Sequence, residues 1–339
     1  MKFHLERYPD NIHPAPILIP RAEIEWECGG IFNPSVYHDG EIFHLLYRAN
    51  SQLIVRKPKH VKPGNRYINR RSYIGYATSK DGVSFKRRGT PFISPNEEYD
   101  AFGCEDPRIT KINDTFYITY TAIDGELDLD VKPNVRIALA TTKDFITVEK
   151  KGIIGPASQS KAAAFFGEKI DGDKIGLLMT HTADSVNSKI ILRTYDNLEN
   201  IFTSSDADWQ NFLDSAEPVL PSKWWLHRGP ELGAPPIKTD RGWLLIFSSE
   251  SMSSSWTISA ALLDLENPHK LIARTPGCLL EPVTIYEREG IVPSVTFPEG
   301  AVIVGEDLYV YYGCADTVIG LATCKLNNLL DYLETFKNN

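Results

Sequence analysis

The chain has 339 residues, 42% hydrophobic and 24% charged, with a formal net charge of -8. That is ample for a large globular core, and the negative balance argues against nucleic acid or an anionic membrane as partner. Cys28, Cys104, Cys278, Cys314 and Cys324 are odd in number and form no C-x-x-C pair, which reads as reduced thiols and not as a disulfide framework or a zinc site.

Taken in order, the chain repeats itself. Asn33-Pro34-Ser35-Val36 leads through an Asp39-Gly40 turn into a strand pattern over residues 41–48. Asp106-Pro107-Arg108-Ile109 leads through Asn113-Asp114 into residues 115–121, and a weaker copy runs from 163 through Asp171-Gly172 to 181. Pro235-Pro236-Ile237-Lys238 and Phe297-Pro298-Glu299-Gly300 open the last two copies. Such turns are hairpin chemistry. A further strand follows each hairpin, at residues 73–79, 136–142, 190–194, 257–263 and 318–323, and two short fourth strands are expected at 84–86 and 146–149. Repeated four-stranded units predict an all-β fold, a five-bladed β-propeller with a short C-terminal helix over residues 327–337, as a single domain spanning 1–339. The anchor segments before each hairpin, at 33–35, 105–108, 161–165, 231–236 and 293–299, then converge on one axial pocket. A basic insertion at 56–71 stands apart, either a solvated hairpin or a rim that reaches an anion.

Gly103-Cys104-Glu105-Asp106-Pro107-Arg108-Ile109 concentrates the chemistry. Adjacent acids repel unless a cation stabilises them, and repulsion from Glu105, limited by Arg108, is expected to raise Asp106 toward a proton donor's range. This stretch resembles the G-x-x-D-P-R-I signature of glycoside hydrolase family 130. Asn33-Pro34-Ser35-Val36 with Leu46-Tyr47-Arg48-Ala49, residues 136–145, 233–246 and Tyr311-Tyr312-Gly313-Cys314-Ala315-Asp316-Thr317 resemble the same family. The resemblance covers residues 30–325 and implies an inverting enzyme acting on β-mannosides. It implies Asp106 as general acid, passing its proton through the mannose 3-hydroxyl, with Asn33, Ser35, Arg48, Glu105 and Asp316 around the sugar.

The nucleophile divides two readings. Arg136, Lys161 and His181 match family contacts to phosphate. Glu231 in Gly229-Pro230-Glu231-Leu232-Gly233, and Phe247-Ser248-Ser249-Glu250 in place of Tyr-His-Gly, match a water-activating site, because a carboxylate repels a phosphate. The first expectation is therefore a β-1,2-mannosidase with Glu231 as base, assisted by Glu289, with Glu287 and then Glu250 as other candidates for the second glutamate. The alternative is a mannoside phosphorylase releasing mannose 1-phosphate, and a non-catalytic sugar-binding propeller is a third reading. No cofactor or metal is expected, only inorganic phosphate as co-substrate if the chain is a phosphorylase. The expected partner is a manno-oligosaccharide, with no membrane, and a homo-oligomer is compatible with the sequence. The opening residues lack an apolar signal core, so the expected location is cytoplasmic.

Overall fold

The structure, a computed structural model, describes residues 3–52, 54–56, 66–68, 71–125, 133–158, 160–183, 185–223 and 226–337. Most of its strands form five antiparallel meanders of four. The first comprises Gly30–His38, Phe43–Asn50, Ser72–Ser79 and Lys86–Arg87; the second Gly103–Ile112, Thr115–Ile123, Val135–Thr142 and Glu149–Ile153. The third comprises Lys161–Phe165, Ile175–His181, Lys189–Tyr195 and Pro218–Leu220; the fourth Leu226–Leu232, Gly242–Ser251, Trp256–Leu263 and Leu271–Arg274. The fifth is Thr296–Val304, Asp307–Cys314 and Val318–Lys325, completed by Glu6–Arg7 from the other end of the chain. These meanders are the repeats read from the sequence. A single parallel bridge, Ser72 to Gly103, links the first two.

Second strands such as Phe43–Asn50 and Gly242–Ser251 are buried along almost their whole length. That fits the apolar runs within them, Leu45-Leu46 and Trp243-Leu244-Leu245-Ile246-Phe247, which suit a strand covered on both faces. The covering comes from neighbouring meanders. Leu46 and Ile74 pack with Ile109 and Ile118, and Ile137 and Leu139 with Phe165 and Met179. Leu178 and Leu192 pack with Leu245 and Phe247, and Leu244 and Ile246 with Val310 and Tyr312. Tyr311 and Leu321 then pack with Ile31 and Leu45, so the circuit of core clusters returns to the first meander.

Some expectations shift. The fourth strands lie at Lys86–Arg87 and Glu149–Ile153, later than expected, because Asp81 and Asp144 first fold their own turns by accepting backbone N–H bonds. The tail helix is Leu326–Glu334, and a helix absent from the sequence reading spans Asp206–Ser215. Its signal was present: Ser205 and Asp208 form a reciprocal capping box over buried Trp209. In the basic insertion, Ile54–Arg56 pairs with Arg66–Ile68; its other residues, apart from Arg71, lie outside the described residues.

The N-terminal strand Glu6–Arg7 is held by a buried ion pair. Arg7 Nε and Nη2 donate to the two carboxylate oxygens of Glu287 at 2.8 and 3.0 Å, and Tyr312 Oη donates to the same group at 2.9 Å. Glu287 is fully buried, so removing its cation strands a charge in the core. Arg7→Met is expected to lower unfolding free energy by about 3 kcal/mol, read as a lower urea midpoint.

Candidate active site

The first strand of every meander carries a register shift. The shifts fall at Phe32/Pro34, Glu105/Arg108, Lys161/Ala163, Arg228/Glu231 and Pro298/Gly300. A bulge breaks the alternation of side chains and re-aims the extra residue. Asn33 and Asp106 stand at two of them with φ of 47° and 54°, a left-handed conformation that short polar side chains tolerate better than most.

The re-aimed side chains meet. Asn33 Nδ2 and Arg48 Nη1 both donate to Asp106 Oδ1 at 3.0 Å. Arg48 Nη2 donates to Glu105 Oε1 at 2.7 Å, and Ser72 Oγ donates to that oxygen at 2.6 Å. One guanidinium thus holds both adjacent acids. Burial acts against the Arg48 charge, but Glu105, Asp106 and Asp316 together outweigh it and hold the proton more tightly than in a free arginine.

The expected raised Asp106 is not found. Burial does push its carboxyl up, but Arg48, the Asn33 hydrogen bond, Arg108 and Lys161 overcome this and hold it below the usual carboxylate range. Sequence adjacency made Glu105 the expected influence, whereas Arg48, distant in sequence, supplies the dominant charge. Arg108 does not reach the Asp106 carboxylate among its hydrogen bonds. It donates to the Asp106 carbonyl at 3.0 Å, to the carbonyls of Leu232 and Gly233 at 2.7 Å each, and to Glu299 Oε1 at 3.1 Å. Gly233 has no room for a side chain: a Cβ there would stand 2.3 Å from the Pro298 carbonyl oxygen and 2.4 Å from that of Ile246.

Lys161 and Glu231 also come together, with Nζ 3.7 Å from Oε2; the carboxylate side chain is 1% exposed and the lysine's 26%. Lys161 further acts by its charge on Asp106. Ser35 is fully buried and its Oγ accepts the Ile109 N–H at 3.0 Å, so it ties the first meander to the strand carrying Asp106. Asp316, at φ 53°, follows the Asp307–Cys314 strand and acts on Arg48 by charge.

Arg136 spends its guanidinium on the carbonyls of Gly155 and Pro156 and on Asp206. His181, half-buried at its strand's end, has its pKa lowered by burial and then by Lys189. Glu289 is exposed at the end of the short helix Ile285–Arg288. Glu287 is the clamp on Arg7 described above, and Glu250 is bound by Arg228 and His227. Sequence reasoning missed Ser72 and gave Glu299 no role, although Glu299 closed the fifth anchor segment; burial in the assembled fold, not local pattern, singles it out.

The model of glycoside hydrolase family 130, described as beta-1,4-mannooligosaccharide phosphorylase, matches residues 22–335. This chain belongs to glycoside hydrolase family 130. A family relative, a 1,2-beta-oligomannan phosphorylase of Thermoanaerobacter sp. (strain X514), is 37% identical over 314 residues, covering 93% of this chain and 96% of the relative. A beta-1,2-mannobiose phosphorylase of the same organism is 36% identical over 91% of this chain and 94% of its own. The solved beta-1,2-mannobiose phosphorylase of Listeria innocua, in complex with beta-1,2-mannobiose, superposes with a TM-score of 0.78 at 28% identity, covering 98% of this chain and 99% of that one.

The Asp106 charge state makes a pH prediction. Its depressed folded pKa contributes stability that is present above the ordinary carboxylate pKa and lost as pH falls through the folded value. Asp106→Asn is expected to lose that part of the acid dependence, so urea midpoints of wild type and variant should converge at low pH. If both proteins lose stability in parallel on acidification, the carboxylate is not held in this way.

Proposed function

We propose that this protein is a β-mannoside phosphorylase acting on β-1,2-linked manno-oligosaccharides. The likeness to the Thermoanaerobacter 1,2-beta-oligomannan phosphorylase, over nearly the full length of both chains, carries the reading. The enclosing fold is proposed to be a single five-bladed propeller; the circuit of core clusters between successive meanders supports it.

In this reading phosphate approaches the anomeric carbon from the face opposite the leaving oxygen. A phosphate oxygen forms the new bond to carbon, the glycosidic C–O bond breaks, and the departing oxygen takes a proton originating on Asp106 through the mannose 3-hydroxyl. The products are mannose 1-phosphate and a mannoside one unit shorter. A carboxyl held below its usual range is a poor donor. Phosphate beside Lys161 would cancel part of the positive field that keeps the proton off, so the co-substrate would itself bring Asp106 toward donor strength. Arg48, tied to both Glu105 and Asp106, keeps the acid aimed while its charge state changes. Asp106→Asn is expected to lower kcat by about two to four orders of magnitude while the protein still binds mannoside.

One observation favours a hydrolase instead: Glu231 is a buried carboxylate within the charge cluster, where a water-activating base would stand. In the phosphorylase reading its task is to hold Lys161. β-1,2-Mannobiose incubated with and without phosphate separates the two. Phosphate-dependent formation of mannose 1-phosphate is the expected result, and mannose release at equal rate without phosphate overturns it. Lys161→Ala is expected to raise KM for phosphate about tenfold or more, with a smaller change in KM for the mannoside, from the loss of a charge-assisted contact.

A further inference from the structure

Glu299 is a buried carboxyl at the centre of this site that the proposed reaction does not use. It stands at the bulge between Pro298 and Gly300 and is fully buried. Its Oε1 accepts from Arg108, and its Oε2 is buried with no hydrogen-bond partner. A second orphan belongs to the neighbouring bulge: Asn33 Oδ1 is also buried without a partner, although Asn33 Nδ2 is bonded to Asp106. The two bulges belong to strands in close contact. The Pro34 carbonyl oxygen lies 2.7 Å from where a Cβ on Gly300 would stand, and Asn33 Oδ1 lies 2.3 Å from such a position on Gly313, the register partner of Phe297.

Two buried acceptors without donors are costly, and neither can satisfy the other. One proton resolves both. We propose that Glu299 is a proton-bearing positioning residue, accepting from Arg108 through Oε1 and donating from Oε2 to the amide oxygen of Asn33. It thereby holds the two groups that orient Asp106, Arg108 through the Asp106 carbonyl and Asn33 through its carboxylate. The surrounding charges agree. Burial pushes the Glu299 carboxyl well above its usual range; Arg108 opposes this, Asp106 adds to it, and Arg48 and Lys161 oppose it more weakly. Of other acids on strands packed nearby, Glu250 is taken by Arg228 and His227, and the Tyr312 hydroxyl is spent on Glu287.

The inference rests on Asp106 being the proton donor of the proposed reaction, but its first test needs no turnover. Infrared spectra of the full chain at neutral pH should show a protonated-carboxyl band in wild type that is missing in Glu299→Gln; identical spectra overturn the proposal, whichever co-substrate the enzyme uses. Glu299→Leu, which cannot accept or donate, should lower kcat about tenfold or more, by the scale of a lost buried hydrogen bond. Glu299→Gln, a neutral side chain with acceptor and donor in the same places, should recover most of that loss. The alkaline limb of its pH–rate profile, where the general acid loses its proton, should stay where wild type's lies. A limb displaced to lower pH would mean that an ionised Glu299 had been raising Asp106, and would overturn the proposal, as would a glutamine variant no better than leucine. Should the leucine variant fail to fold, the infrared comparison and the position of the limb decide.

Discussion

The guanidinium of Arg108 is the constraint on which the site depends. It is 2% exposed, and it binds three backbone carbonyls and one carboxyl from three meanders. Buried carbonyls need donors, and at bulges the ladder no longer supplies them. Arginine answers several at once with a planar fork of donors that never loses its charge. Because Arg108 spends itself on the frame, it leaves the Asp106 carboxylate to Arg48. Arg108 fixes the backbone beneath the acid, and Arg48 exerts the largest single charge on it.

The same device recurs away from the site. Glu287 under Arg7, Glu27 under Arg21 and Arg87, and Asp100 under Lys150 are each buried acids that gather distant segments. Tyr47 donates to Glu27 and Tyr120 to Asp100, as Tyr312 does to Glu287. A buried pair adds little net stability, yet losing one partner strands a charge, so such pairs fix geometry more than they add free energy. That suits a fold built from similar sheets, whose apolar faces could otherwise slide past one another.

The repeats were legible because each is punctuated locally. Asp39, Asp81 and Asp144 build their turns from backbone N–H groups two and three residues ahead, and such chemistry is visible in single residues. That Arg48, Glu105 and Asp106 share one site was legible only as family resemblance, and their pairing was not legible, since 57 and 58 residues separate the partners. The roles of the glutamates were not legible at all. Glu287 and Glu289 are two positions apart, yet one is sealed beneath Arg7 and the other is exposed. Burial is decided by what packs above a residue, and no local pattern carries it.

Charge balance then bears on the nucleophile. Arg48 is committed to Glu105 and Asp106, Arg108 to Glu299 and the frame, and Lys161 to Glu231. With every acid ionised, these three cations face Glu105, Asp106, Glu231, Glu299 and Asp316, a field hostile to phosphate. A proton on Glu299 removes one negative charge, and a proton reaching Asp106 removes another, which brings the cluster to as many cations as anions. Phosphate binding and protonation of the acid therefore favour each other, since each lessens the electrostatic cost of the other. A hydrolase has no such need, because water carries no charge. Neutral Glu299 is thus of most use to an enzyme whose nucleophile is an anion, and the buried Glu231 is compatible with that nucleophile as long as Lys161 stays beside it.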